Sequence, residues 1–164
     1  MNARRGLVTA VVAVLCVALA GCDVALWLHN RRGADVDAAR ADAVAAAKQA
    51  ARDILSYDYR NLDADIAKAK SETTGLFATQ YSGSAATLLA QARQLRAIVQ
   101  ATPSAPGVVS ATTSEVVVLI WVDQASVKQL AGQKTPTTRI DQSRVRMTMT
   151  KVGGHWRVSQ LAAL

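Results

Sequence analysis

The sequence has 164 residues, 51% of them hydrophobic, and a formal net charge of +7. That length holds one ordinary domain plus a targeting or anchoring segment, not two domains. With 4% aromatic residues, two Cys and two His, a base-stacking nucleic-acid module, a disulfide framework and a Cys/His zinc site are all poorly served.

Residues 1–6 carry Arg4 and Arg5 and read as a short cytoplasmic segment. Residues 7–28, from Leu7 to Leu28, contain one charge, Asp23. As a helix this run spans roughly 33 Å, enough for a hydrocarbon core of about 30 Å. Trp27, His29, Arg31 and Arg32 follow at interfacial depth. The expected element is a single-pass anchor in the cell membrane, with the remainder extracytoplasmic. The same stretch supports a second reading. Leu19-Ala20-Gly21-Cys22 matches a bacterial lipobox, and the basic start with its apolar stretch fits a signal peptide. In that case the signal ends at Cys22, which carries the lipid attachment, and the protein is lipid-anchored on the outer membrane face. Val24 to Leu28 continue the apolar run where a lipoprotein has a polar tether, which favours the uncut anchor. Asp23 counts the other way.

Residues 29–35 read as a tether broken by Gly33, and residues 36–164 as the domain. Val36, Ala39, Ala43, Ala47, Ala50, Ile54 and Tyr57 recur at spacings of three and four, predicting a helix with a small-residue face that a partner element can approach closely. Asn61 reads as an N-cap, with Asp63 and Asp65 in the first turn and Leu62, Ile66 and Ala69 on one face. Thr73-Thr74-Gly75 ends this short helix. A third helix runs to about Leu95, with Phe77, Tyr81, Ser84, Leu88, Ala92 and Leu95 in a stripe and a bend expected at Gly83.

Beyond Ile98 the period changes to two. Pro103 and Pro106 mark Ile98 to Thr112 as an edge or bulged strand. Glu115 to Val122 is continuously apolar after Glu115, which predicts cover on both faces or nearly so. Ala125 to Pro136 reads as a polar connection, with a strand extension as the alternative. Arg144 to Thr150 alternates, with Val145, Met147 and Met149 inward. Gly153-Gly154 makes a hairpin turn, and the last strand turns Trp156 and Val158 inward. Three helices followed by a four-stranded antiparallel meander make an α+β domain.

The run Leu55-Ser56-Tyr57-Asp58-Tyr59-Arg60-Asn61-Leu62-Asp63-Ala64-Asp65, the strand VVLIWVDQ ending in Asp123-Gln124, the strand VRMTMTKV and the closing GGHWRVSQL together resemble the actinobacterial Mce-associated membrane proteins. The resemblance covers most of residues 7–164. It implies a membrane helix followed by a SnoaL-like, nuclear-transport-factor-two-like cone, with helices packed on a curved antiparallel sheet. It also implies a non-enzymatic accessory role beside an Mce-type lipid import system. The partners would be the membrane and Mce transporter subunits, with no nucleic acid. Tyr57, Asp58, Tyr59, Leu62, Asp123 and Trp156 are the structural positions of the family pattern.

Enzymes on this superfamily fold can move protons with an Asp and a Tyr. Tyr57, Asp58 and Tyr59 are adjacent, so at a helix end they diverge rather than converge on one pocket. His155 is expected at the surface, and Trp121 and Trp156 in the core, with a pocket-lining role as the alternative. No nucleophile, metal or phosphate-loop motif is present, so no catalytic, cofactor or metal residue is assigned. The alternative function is a lipid or small hydrophobic ligand held in a cavity between helices and sheet.

Overall fold

The computed structural model describes residues 23, 31–129, 133 and 135–164. The anchor expected over 7–28, and with it Cys22, lies outside the described residues except for Asp23. Among the described residues no helix is long and apolar enough to cross a membrane. The chain divides into two units, 1–38 and 39–164.

In the first unit, residues 31–38 are helical. Gly33 therefore does not break the helix, and the part of the expected tether from Arg31 onward is helical. A glycine inside a helix costs only about 1 kcal/mol relative to alanine, which its neighbours readily offset.

The second unit begins with helix α1, residues 39–55. Strand β1 (Tyr57–Asp58), helix α2 (Leu62–Ser71), helix α3 (Gly75–Gln94) and strands β2 (Ile98–Ala111), β3 (Glu115–Lys128), β4 (Thr137–Val152) and β5 (His155–Ala163) follow. The sheet order is β1-β2-β3-β4-β5, with every pair antiparallel. The small-residue face of α1 is buried as its spacing predicts: Ala39, Ala43, Ala47, Ala50, Ala51 and Ile54 join one core cluster. The sheet side of that cluster is Ala101, Val116, Val118, Ile120, Val122, Val145, Met147, Met149, Trp156 and Val158. Ala69 of α2 belongs to it, and Phe77 and Tyr81 of α3 pack against it.

Several elements differ from the sequence reading. Tyr57 and Asp58 do not end a helix. They form β1, opposite Val99 and Ile98 of β2, so the sheet has five strands rather than four. Asn61 occupies the N-cap of α2 without a side-chain cap bond, although its carbonyl accepts the Asp65 N–H at 3.0 Å. The Thr73-Thr74 break is held by β5: Val158 donates to the Glu72 carbonyl (2.8 Å) and accepts from the Thr74 N–H (2.9 Å). Helix α3 runs through Gly83, and its buried stripe uses Ala85 where Ser84 was expected. Ser84 is exposed and returns its hydroxyl to the Gln80 and Tyr81 carbonyls. The end of α3 is a Schellman closure. Ala97 N–H reaches the Ala92 carbonyl (2.9 Å), Arg96 N–H reaches Arg93 (3.2 Å), and Arg96 takes φ +44°.

The two prolines do mark a bulged strand. Register shifts fall between Ser104 and Gly107 and between Val108 and Ser110, and Ala105 has φ +43°. Strand β3 is fully buried on one face and half-covered on the other, where Val117 and Leu119 are half-buried. Val116, Val118, Ile120 and Val122 are buried, whereas Trp121 on the other face is 43% exposed. Trp121 is thus not a core residue; the Arg144 guanidinium lies 5.9 Å from its ring centroid. The strand extension given as the alternative for 125–136 is present: β3 runs to Lys128, which pairs with Thr137, and the connection is the shorter for it.

Candidate functional site

The family-pattern residues lead to a groove of about 550 Å³ beside the C-terminal end of α1. Tyr57 and Asp58 of β1, Asp65 and Lys68 of α2, Asp53 of α1 and residues 98–102 of β2 line it. The chain reaches this arrangement because β1 follows α1 after a single residue, Ser56, whose hydroxyl accepts the Ala101 N–H at 2.9 Å. The Gln124 amide reaches back to the Leu55 carbonyl (3.4 Å).

Each carboxylate here has an internal partner. The Asp58 carboxylate accepts from the Arg60 backbone N–H (3.0 Å) and from the Arg60 guanidinium, which holds its carboxyl below the usual range. The Asp58 N–H in turn donates to Asp65 Oδ2 (2.8 Å). The Asp53 side chain is 5% exposed and meets Lys68 Nζ at 2.8 Å and Gln49 Nε2 at 2.8 Å. The hydrogen bond to Asp53 raises the Lys68 ammonium pKa. Burial raises the Tyr57 phenol pKa. A general base needs a carboxylate free to take a proton, and Asp58 is instead held by its neighbour two residues on.

The remaining pattern residues lie elsewhere. Tyr59 donates its N–H to the Ala97 carbonyl (3.0 Å), and its ring lies 5.9 Å from the Arg60 guanidinium. Leu62 is buried on α2. Asp123 stands on the outer sheet face opposite Gln142 and accepts its amide at 2.9 Å. Trp156 is 8% exposed in β5, its ring 5.6 Å from Lys151 Nζ, and its indole N–H meets no acceptor. Trp156 and exposed His155 border a second groove with Asp42, Ser71, Glu72 and Arg157. Burial, and next the Asp53 charge, raise the Glu72 pKa. The structure therefore brings Tyr57 and Asp58 together but not Asp123 or Trp156 with them. Among the described residues no cluster of His, Cys, Asp and Glu can hold a metal ion.

The reading of the sequence missed the Asp53–Lys68 pair. Its signal was a carboxylate three residues after Ala50 along the buried stripe of α1, where a charge needs a partner. The interior between α1 and the sheet is filled. Met147, Met149, Val116, Val118, Ile120, Val122 and Val158 have no exposed surface there.

A family model described as "Uncharacterized protein Rv1363c/MT1408-like" matches residues 5–163. A relative named "Outer membrane protein Rv1973", from Mycobacterium tuberculosis, is 33% identical over 129 residues, covering 77% of this chain and 76% of its own. Among solved structures, an IcmL-like type IV secretion system protein of Legionella pneumophila superposes with a TM-score of 0.60 at 14% identity, over 76% of this chain and 91% of that one. CagV, a VirB8 homologue of Helicobacter pylori, gives 0.58 at 11% identity, over 75% and 96%. An Ntf2-like protein involved in plasmid conjugation gives 0.53 at 11% identity, over 77% and 49%. At these identities the structures establish the fold, an NTF2-like α+β domain with helices on an antiparallel sheet, and nothing further.

Proposed function

The chain belongs to the Rv1363c/MT1408-like family, and on that premise we propose that it is a non-enzymatic, membrane-anchored accessory protein of an Mce-type lipid import system. The apolar run over 7–28 supplies the anchor. The resemblance of residues 55–65, the VVLIWVDQ strand and the GGHWRVSQL terminus to Mce-associated proteins supplies the partner. The name of the relative Rv1973 and the secretion-system neighbours are consistent with work in the cell envelope beside other membrane proteins.

Two observations carry the non-enzymatic reading. Asp58, which lines the groove with Tyr57, is occupied by Arg60, and the interior beside α1 is packed with aliphatic side chains. What remains for use is surface. The alternative, a domain holding a lipid between helices and sheet, needs that interior to open.

The test is a pull-down of the tagged full-length chain from native membranes, with proteins and lipids identified together by mass spectrometry. Mce transporter subunits in the eluate support the proposal. Stoichiometric lipid without partner proteins favours the carrier. Recovery in an outer-membrane fraction, with neither, would reject the anchor and the partner together.

A further inference from the structure

Arg60, Lys68, Arg93 and Arg139 are each paired with a carboxylate, and the Arg144 and Lys151 heads lie over indole rings. Arg146 has no such counterpart. Among the described residues it makes no hydrogen bond, ion pair or ring contact. Its neighbours across the sheet are Leu119 of β3 and Ala162 of β5. Neither is charged, so the Arg146 stem crosses apolar surface and its head is left to find an anion elsewhere.

Arg146 lines a groove of about 320 Å³ between the start of α3 and strands β4 and β5, and among the lining residues it alone is charged. Leu76, Phe77 and Leu161 give the groove an apolar wall. Leu76 is 71% exposed, a large apolar side chain that the fold leaves in water. Gln80, Thr148 and Gln160 join Arg146 as polar members, and their side chains make no hydrogen bond among the described residues. The register separates the two kinds. Thr148 faces Gln160 and Arg146 faces Ala162 across the β4–β5 ladder, whereas Leu161 faces buried Met147 and so stands on the helix side of the sheet. The groove is apolar toward α3 and polar toward Arg146.

We propose that this groove binds a single-chain lipid carboxylate, its acyl chain along Leu76, Phe77 and Leu161 and its head at Arg146. The planar guanidinium offers a carboxylate two parallel N–H groups, and Thr148 and Gln160 supply further donors beside it. A cation with no acid in the same groove selects an anion. The apolar wall selects a chain over a free ion, because covering Leu76 removes apolar surface from water. The volume bounds the ligand. Ligand pockets run from about 300 to 1,000 Å³, and this groove, at the small end, has room for one chain rather than two. It lies at the rim of the sheet, apart from the filled interior under α1, and does not depend on the identity of the transporter.

The probe is a long-chain fatty acid carrying a photoactivatable diazirine near its tail, compared with its methyl ester. Each is added to the full-length chain in nanodiscs of neutral phosphatidylcholine, at alkaline pH so that the acid is ionised, and adducts are mapped by peptide mass spectrometry. The acid is expected to label residues 76–80 or the β5 peptide containing Leu161 about tenfold more than the ester does. Arg146→Gln removes the charge at an exposed position. It should leave the circular dichroism spectrum unchanged and lower labelling by the acid about tenfold. Arg146→Lys keeps the charge without the fork and should fall between. Leu76→Glu puts a like charge in the groove, at a helix start that tolerates an acid, and should abolish labelling. Equal labelling of these peptides by acid and ester overturns the proposal. So does labelling that is absent or confined to residues 7–28, or labelling that neither Arg146→Gln nor Leu76→Glu reduces.

Discussion

Replacing Ala47 by Leu separates a packed interior from a ligand cavity by the sign of its effect. Ala47 has no exposed surface, nor have Ala43, Ala50 and Ala51 on the same helix face. Met147 and Met149, sheet residues of the same cluster, are equally closed. Leucine adds three carbon atoms. If a cavity lay beneath α1, filling it would gain about 0.8 kcal/mol per buried methylene, roughly 2 kcal/mol in all. With no room, forcing the same atoms in costs about 1–3 kcal/mol through displaced side chains and backbone. In a domain of this size that is a fall in Tm of roughly 3–10 °C. The assay is thermal unfolding of the full-length protein in detergent, followed by far-UV circular dichroism. Ala45→Leu, at an exposed position of the same helix, is the control and should stay within about 0.5 kcal/mol of wild type. A Tm for Ala47→Leu equal to or above wild type would refute the packed interior and revive the lipid-binding alternative.

Trp156→Ala should destabilise by about 3–5 kcal/mol, whereas Trp156→Phe should cost far less, because the indole N–H has no bond to lose; equal losses in urea unfolding would contradict this. Glu72 has a raised folded pKa, from burial first and the Asp53 charge second, so its ionisation lowers stability as pH rises from the unfolded carboxylate value through the folded one. Glu72→Gln should therefore raise Tm at pH 7 and lose that advantage below about pH 4; an advantage independent of pH would contradict the assignment. Arg96→Gly relieves a non-glycine residue at φ +44° and should stabilise by about 1 kcal/mol, measured by chemical denaturation; a loss of stability would show that the Arg96 side chain matters more than its backbone. For the proposed anchor, Cys22→Ala should leave full-length chain in the membrane fraction, and a wild-type N-terminus mapped to an acylated Cys22 would establish the lipoprotein instead.

What the sequence determined by itself was local. Alanines spaced by three and four on α1 must share a face, and that face is buried. Val145, Met147 and Met149 alternate with polar residues, and they point inward in β4. Gly153 and Gly154 take the positive φ values that a two-residue turn requires. Pro103 and Pro106 cannot serve a regular ladder, and β2 bulges between and after them. Each of these follows from the geometry of a few neighbouring residues.

Tertiary structure decided the rest, because it turned on partners far along the chain. Tyr57 and Asp58 are too short a stretch to announce a strand; they become one because Ile98 and Val99 arrive beside them. The apolar run of β3 records an appetite for burial on both faces, yet only one is fully buried: Val117 and Leu119 on the other are half-buried and Trp121 is 43% exposed. Asp53 looks like an ordinary helix charge until α2 brings Lys68 to it. The Thr73-Thr74 break is likewise held from afar, by the Val158 backbone of β5.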